Sequence, residues 1–139
     1  YSILDRKIEQ NGLKQCAAQA GKGIIAFSPL AQGLLTNRYL NGIPADSRIR
    51  TDGRFLKESS LTPEKRKQLQ ALSRIAEGRG QTLAEMALSW LLRSPEVTSV
   101  LVGASKPEQI LENIGALRHT AFTEEELKAI DTACGQAPN

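Results

Sequence analysis

Val-Thr-Ser-Val-Leu-Val-Gly-Ala-Ser-Lys-Pro-Glu-Gln-Ile-Leu-Glu-Asn, residues 97–113, decides how the rest of the chain is read. A short apolar run rich in β-branched residues (Val97, Val100, Leu101, Val102) stops at Gly103, and a helix starts almost at once. Ser105 is placed to cap that helix. Pro107 suits its first turn, and Glu108 stands three residues after Ser105, as a capping box requires. A strand, a glycine turn and a helix N-terminus leave backbone N–H groups pointing at whatever anion lies above them. Lys106 adds a positive charge there. Taken alone, the stretch is by default an ordinary capped strand-to-helix turn. The expectation it raises is a phosphate-binding corner of an α/β protein.

Working back towards the N-terminus, the same grammar repeats. Tyr1–Leu4 reads as the exit of a strand. A helix follows over Gly12–Ala20, with Leu13, Cys16, Ala17 and Ala20 at helical spacing, and Gly21-Lys22-Gly23 ends it. Gly23–Ser28 reads as a buried strand through Ile24, Ile25, Ala26 and Phe27, which Pro29 terminates. Strand, helix, strand favours a parallel pair joined by a right-handed crossover. Thr62-Pro63-Glu64 opens a helix to about Gly80 with an apolar stripe of Leu69, Leu72, Ile75 and Ala76. Thr82 and Glu85 form a capping box for a helix running to Leu92, apolar almost all round, so it should be heavily buried, with Trp90 as a packing residue. Beyond Gly103, Ile110, Leu111, Ile114 and Leu117 are expected to give the next helix a core face. Thr123 and Glu126 cap the last helix, to about Cys134.

Two strands and the end of a third do not make a stable parallel sheet, which needs cover on both faces and more strands. The economical reading is the C-terminal portion of a larger α/β protein, in its commonest form a (β/α)8 barrel. Such barrels carry their sites at the C-terminal ends of the strands. Here those ends are the loops Phe27–Leu61 and Gly103–Asn113. The first has no sustained periodicity beyond one helical turn near Gly33–Tyr39, the mark of a binding loop or lid. It holds Arg38, Arg48, Arg50, Arg54 and Lys57 against Asp46, Asp52 and Glu58, five positive charges less three negative, a surplus of two. Arginine is the side chain best shaped for forked contacts to phosphate or carboxylate.

Composition narrows the partners. A formal net charge of +3 over 139 residues is too small and too scattered to indicate nucleic acid. No apolar run spans a membrane, and no secretory signal is visible. Cys16 and Cys134 have neither C-x-x-C spacing nor a Cys/His cluster around them, so no metal site is expected, and two reduced thiols in a cytoplasmic protein are the default over a disulfide.

Three motifs carry a resemblance over essentially the whole chain: Phe27-Ser28-Pro29-Leu30-Ala31-Gln32-Gly33; Arg38-Tyr39 with Ser47-Arg48; and Gly103-Ala104-Ser105 followed by Gln109, Glu112, Asn113 and Ile114-Gly115. In order and at these spacings they resemble the C-terminal part of aldo-keto reductases, nearest to the branch holding potassium-channel β subunits and bacterial L-glyceraldehyde 3-phosphate reductases. The resemblance implies that 1–139 is the cofactor-binding part of one barrel domain of an NADPH-dependent carbonyl reductase. Phe27 would lie against the nicotinamide ring, and Ser28, Pro29, Leu30, Ala31 and Gln32 would line the pyrophosphate. Arg38 stands where related proteins carry Lys, and Arg48 would be a second cation from a loop acting as a clasp. Gly103 would allow close backbone approach. Ser105, Lys106 and Gln109 would meet the 2′-phosphate or its ribose, and Glu112 and Asn113 the adenine edge. The catalytic Asp, Tyr, Lys and His of the family are expected outside this segment. Tyr1, Tyr39 and His119 are therefore not promoted to catalytic roles, and the segment alone should reduce nothing. The implied substrate is a small carbonyl compound, and a homo-oligomer is left open. The alternative is a nucleotide-sensing interaction subunit with little or no turnover.

Overall fold

The structure is a computed structural model that describes residues 1–43, 59 and 61–136. Helices α1 (Lys7–Gln10) and α2 (Leu13–Gln19) precede strand β1 (Ile24–Phe27). Short 3₁₀ turns at Ala31–Gly33 and Asn37–Tyr39 follow. Then come α3 (Pro63–Gly78), α4 (Leu83–Leu92), β2 (Val97–Leu101), α5 (Pro107–Gly115), a 3₁₀ turn at Ala116–Arg118 and α6 (Glu124–Cys134). β1 and β2 pair in parallel, as the strand–helix–strand order requires. Ile24 faces Val97 and Phe27 faces Leu101, with a register irregularity between Ile24 and Ile25. The expected strand exit at the N-terminus forms no strand. It is a turn closed by a Ser2–Asp5 bridge, and only the Tyr1 N-terminal nitrogen reaches β1, donating to the Phe27 carbonyl at 3.1 Å.

Helix boundaries follow the caps. Thr62 accepts from the Lys65 N–H, with Pro63 at the first helical position. The Thr82–Glu85 and Thr123–Glu126 capping boxes are both closed in each direction. α5 is a correction. Its N-cap is Lys106, not Ser105, and Glu108 closes no box. Instead the Gln109 carboxamide oxygen accepts from the backbone N–H groups of Ser105 (2.8 Å) and Lys106 (3.3 Å). Pro107 sets this register, because as first helical residue it makes its predecessor the cap.

The core lies on one side of the strand pair. α4 is its axis, buried from Leu83 through Leu91 apart from Glu85, with Trp90 fully enclosed among Ile3, Leu35, Leu69, Leu72 and Ile130. α5 is held against the start of α4 at Gly115, where an added Cβ would run into the Glu85 carboxylate. Three expectations of burial fail. In β1 only Ala26 turns to the helices; Ile25 and Phe27 stand 70% and 72% exposed on the opposite face of the sheet. On α5 and in the turn after it, Ile110, Leu111, Ile114 and Leu117 are exposed instead of forming a core face. The intended stripe of α2 is likewise uncovered: Leu13, Cys16 and Ala20 are exposed. The cause is common to all three. Alternation and helical spacing report which face is apolar, and cover for that face must come from further elements.

Polar side chains stitch the helical layer. Arg79, just past α3, is enclosed, its side chain 1% exposed. Its Nε donates to Gln81 at 2.9 Å, Nη1 to Glu126, and Nη2 to the carbonyls of His119 (3.1 Å) and Ala121 (2.9 Å). Phe122 covers its face, ring centroid 3.6 Å from Cζ. Burial draws this guanidinium's pKa down, and Glu126 opposes the shift. Arg6 pairs with Asp131 of α6 and lies 4.4 Å over the Trp90 ring, with Arg93 at 3.9 Å from the same ring.

Candidate functional site

A cleft of about 970 Å³ opens at the C-terminal ends of β1 and β2, towards the large end of the range for small-molecule sites. One wall is Phe27, Ser28, Pro29, Leu30 and Gln32 with Arg38 beyond them. The other is Gly103, Ser105, Gln109, Glu112 and Asn113. These are the sequence-predicted residues, brought together from segments far apart in the chain. Ala31 belongs to the same turn but does not line the cleft, Lys106 caps α5 and does not line it either, and Arg48 lies outside the described residues. Also on the wall, and not assigned to the site from sequence, are Gly33, Thr36, Asn37, Tyr39, Ala84, Leu101 and Val102. Gly33 and Tyr39 stand in the sequence motifs, and Thr36 and Asn37 lie in the single helical turn read between them. Ala84, Leu101 and Val102 read as packing residues.

The first wall is built by an unusual backbone. Ser28, Ala31 and Gln32 have φ of 53°, 48° and 60°, three left-handed non-glycine residues within five positions. Each costs roughly 1–2 kcal/mol relative to a right-handed conformation, so the surroundings must impose them. The imposing contacts are visible. Ala31 N–H donates to Ser28 O at 3.0 Å, Gly33 N–H to Leu30 O at 2.9 Å and Leu35 N–H to Leu30 O at 3.1 Å, while Leu34, Leu35 and Tyr39 anchor the segment in the core. The turn leaves Gln32 exposed and Ser28 half-buried, both on the cleft wall. At its start the exposed Phe27 ring offers an open aromatic face, which excludes the reading of Phe27 as a buried strand residue of this chain.

On the second wall, an added Cβ at Gly103 would meet nothing within 4 Å, so this glycine leaves open space rather than relieving an internal clash. Gln109, Glu112 and Asn113, three and four residues apart, share the cleft face of α5. The Ser105 hydroxyl donates to Gln109 at 3.2 Å, so the Gln109 oxygen is engaged within the corner and its amide N–H2 end is what it can present outwards. Tyr1 is not set up to give a proton to the cleft. Tyr1 donates its hydroxyl to Glu9, and burial first, then that carboxylate, push the phenol well above its ordinary pKa. His119 is exposed and does not line the cleft.

Parallel strands alternating with helices, an unclosed sheet and a cleft over the strand ends define an incomplete (β/α)8 barrel. Residues 1–134 match the aldo/keto reductase family, and the chain belongs to it. Among its relatives, the L-glyceraldehyde 3-phosphate reductase of Escherichia coli O157:H7 is 50% identical over 134 residues, covering 94% of this chain and 39% of the relative. A putative voltage-gated potassium channel subunit beta of Schizosaccharomyces pombe is 39% identical over 142 residues, covering 99% of this chain and 41% of the relative. Two solved folds are similar. The glycerol dehydrogenase of Gluconobacter oxydans has a TM-score of 0.73 and 26% identity, over 100% of this chain and 42% of that one. A thermostable aldo-keto reductase solved with the inhibitor epalrestat has a TM-score of 0.65 and 27% identity, over 96% and 37%. The chain thus spans about two fifths of the length of the relatives it matches.

Proposed function

We propose that residues 1–139 form the C-terminal, cofactor-binding part of a single aldo-keto reductase barrel domain, and that the whole protein is a cytoplasmic NADPH-dependent reductase of small aldehydes or ketones. The observation that carries this is convergence. Phe27 through Arg38 and Gly103 through Asn113 meet on one cleft, with an exposed aromatic ring at one end and a helix N-terminus at the other. A dinucleotide has this polarity: a ring to stack at one end, phosphates in the middle, and an adenosine to hold by polar edges.

In this reading the Phe27 ring fixes one face of the nicotinamide. The Ser28–Gln32 turn meets the pyrophosphate with its amides, and Arg38 and Arg48 supply cationic contacts. Ser105, Lys106 and the Gln109 amide serve the 2′-phosphate or its ribose, while Glu112 and Asn113 take the adenine edge. The cofactor, when bound, supplies hydride to a carbonyl. The proton-donating side chains belong to the rest of the protein, so this segment binds and orients but does not turn over. The likeness to a channel subunit favours a second reading, a nucleotide-sensing interaction protein.

The test is a titration of the full protein with NADPH and with NADH, followed by nucleotide fluorescence. NADPH should bind at least about tenfold tighter, Lys106→Ala should narrow that difference, and Arg48→Ala should weaken NADPH binding, since a charged contact to phosphate is worth about 1.5–3 kcal/mol. Equal affinities would refute the assignment. Turnover of a simple aldehyde separates the two functions: a sensor binds the nucleotide but does not consume it.

A further inference from the structure

We infer that Thr36 is a positioning residue for the cleft, coupling the left-handed turn on its rim to the turn that carries Arg38. This rests on the cofactor reading above. The Thr36 hydroxyl donates to the Gly33 carbonyl at 2.7 Å, and the same oxygen accepts from the Arg38 N–H at 3.4 Å. Thr36 is extended (φ −133°, ψ 162°) and is the cap of the Asn37–Tyr39 turn. Gly33 is the last of the positive-φ residues on the rim, at φ 94°. One hydroxyl therefore closes the backbone between the end of the strained turn and the Arg38 N–H inside the next.

The consequence is directional. Tyr39 is buried, 2% exposed, and packs towards Gly33, so the 3₁₀ turn is pinned at its far end by the core and at its near end by Thr36. Asn37 and Arg38 lie between those two pins, both exposed on the cleft. Removing the hydroxyl leaves the Gly33 carbonyl and the Arg38 N–H without this partner while sparing the apolar packing. The segment keeps its fold, and the placement of Arg38 over the cleft loosens. A positioned charged side chain loses affinity when its orientation is no longer fixed, even though its charge remains.

The experiment measures NADPH dissociation constants in the full chain for wild type, Thr36→Val, Thr36→Ser, Arg38→Ala and the Thr36→Val/Arg38→Ala double variant, with melting temperatures recorded alongside. Thr36→Val should weaken NADPH about tenfold at an almost unchanged melting temperature, and Thr36→Ser should stay within about twofold of wild type. In the Arg38→Ala background, Thr36→Val should cost nothing more, because the group it positions is gone. An unaffected Thr36→Val protein, or an effect that simply adds to that of Arg38→Ala, overturns the inference while leaving the cofactor site standing. A wild-type protein that binds neither NADPH nor NADH overturns the cofactor reading itself, and the inference with it. If the valine protein does not fold, Thr36→Ala carries the same comparison.

Discussion

Replacing Arg79 with methionine keeps the aliphatic stem and removes the guanidinium that joins the end of α3 to the start of α6. Four donations are lost: to Gln81, Glu126, His119 O and Ala121 O. Their partners are not equally harmed. Glu126 is 26% exposed and keeps the Thr123 N–H at 2.8 Å, and His119 O keeps a 3.3 Å bond from Gln81 Nε2. The Gln81 oxygen and the Ala121 carbonyl lose the donor described here. Each such loss costs about 1–3 kcal/mol, and breaking a buried ion pair costs about 3–5 kcal/mol in total. Because Glu126 is part-solvated and still bonded, the lower end applies, about 3 kcal/mol, a large share of the 5–15 kcal/mol typical of a domain. With a urea slope near 2 kcal/mol/M, the unfolding midpoint should fall by about 1.5 M, read by far-UV circular dichroism. Arg79→Lys should recover less than half of this, since one ammonium cannot serve four acceptors arranged around a planar fork. A methionine variant within about 0.5 kcal/mol of wild type, the range of ordinary surface substitutions, would refute the assignment of Arg79 as the tie. A fully restored lysine variant would show that charge, not fork geometry, is what matters.

Phe27→Ala should weaken NADPH binding of the full protein by about tenfold, because the exposed ring face is what the cleft wall offers a nicotinamide; an unchanged dissociation constant would return Phe27 to a packing role. Ser94, foremost, and Lys14 hold the Glu96 carboxyl below its ordinary pKa of 4.5. A depressed carboxylate stabilises the fold above its ordinary pKa, and that contribution is lost as pH falls through the folded value. Glu96→Gln should therefore lower stability at pH 7 but flatten its decline below about pH 4.5, and parallel wild-type and variant acid titrations would contradict this. Residues 1–139 expressed alone should associate and bind a hydrophobic dye, since Ile25, Phe27, Leu101, Leu111 and Leu117 are all exposed. A monomeric, cooperatively melting species in sedimentation and calorimetry would show that these faces tolerate water.

Local signals specified the elements. Thr82 with Glu85 and Thr123 with Glu126 marked helix starts that the structure reproduces, because a capping box is a contact between residues three apart and needs nothing else to form. At Ser105 the same rule misplaced the cap by one residue: Pro107 fixed the register, and Gln109 reached back in place of Glu108. Parallel pairing of β1 with β2 was equally legible, since strand, crossover helix and strand leave little alternative. The membership of the cleft was readable from motif order, and the structure brings both motif segments onto one wall-to-wall site.

What the sequence determined by itself, then, is the order and type of most elements, the caps that bound them, and which segments line the cleft. Tertiary structure decided which apolar faces are covered. Hydrophobic periodicity marks a face without naming its partner, so Ile25 and Ile110 were expected inside and stand exposed, while Ile3 and Leu35, outside any regular element, are fully buried. It also decided the long-range polar ties. Arg6 meets Asp131 across 125 positions and Arg79 meets Glu126 across 47. A charge in a sequence carries no mark of its partner; only the packing of helices that share a core brings the two within reach and excludes the water that would otherwise separate them.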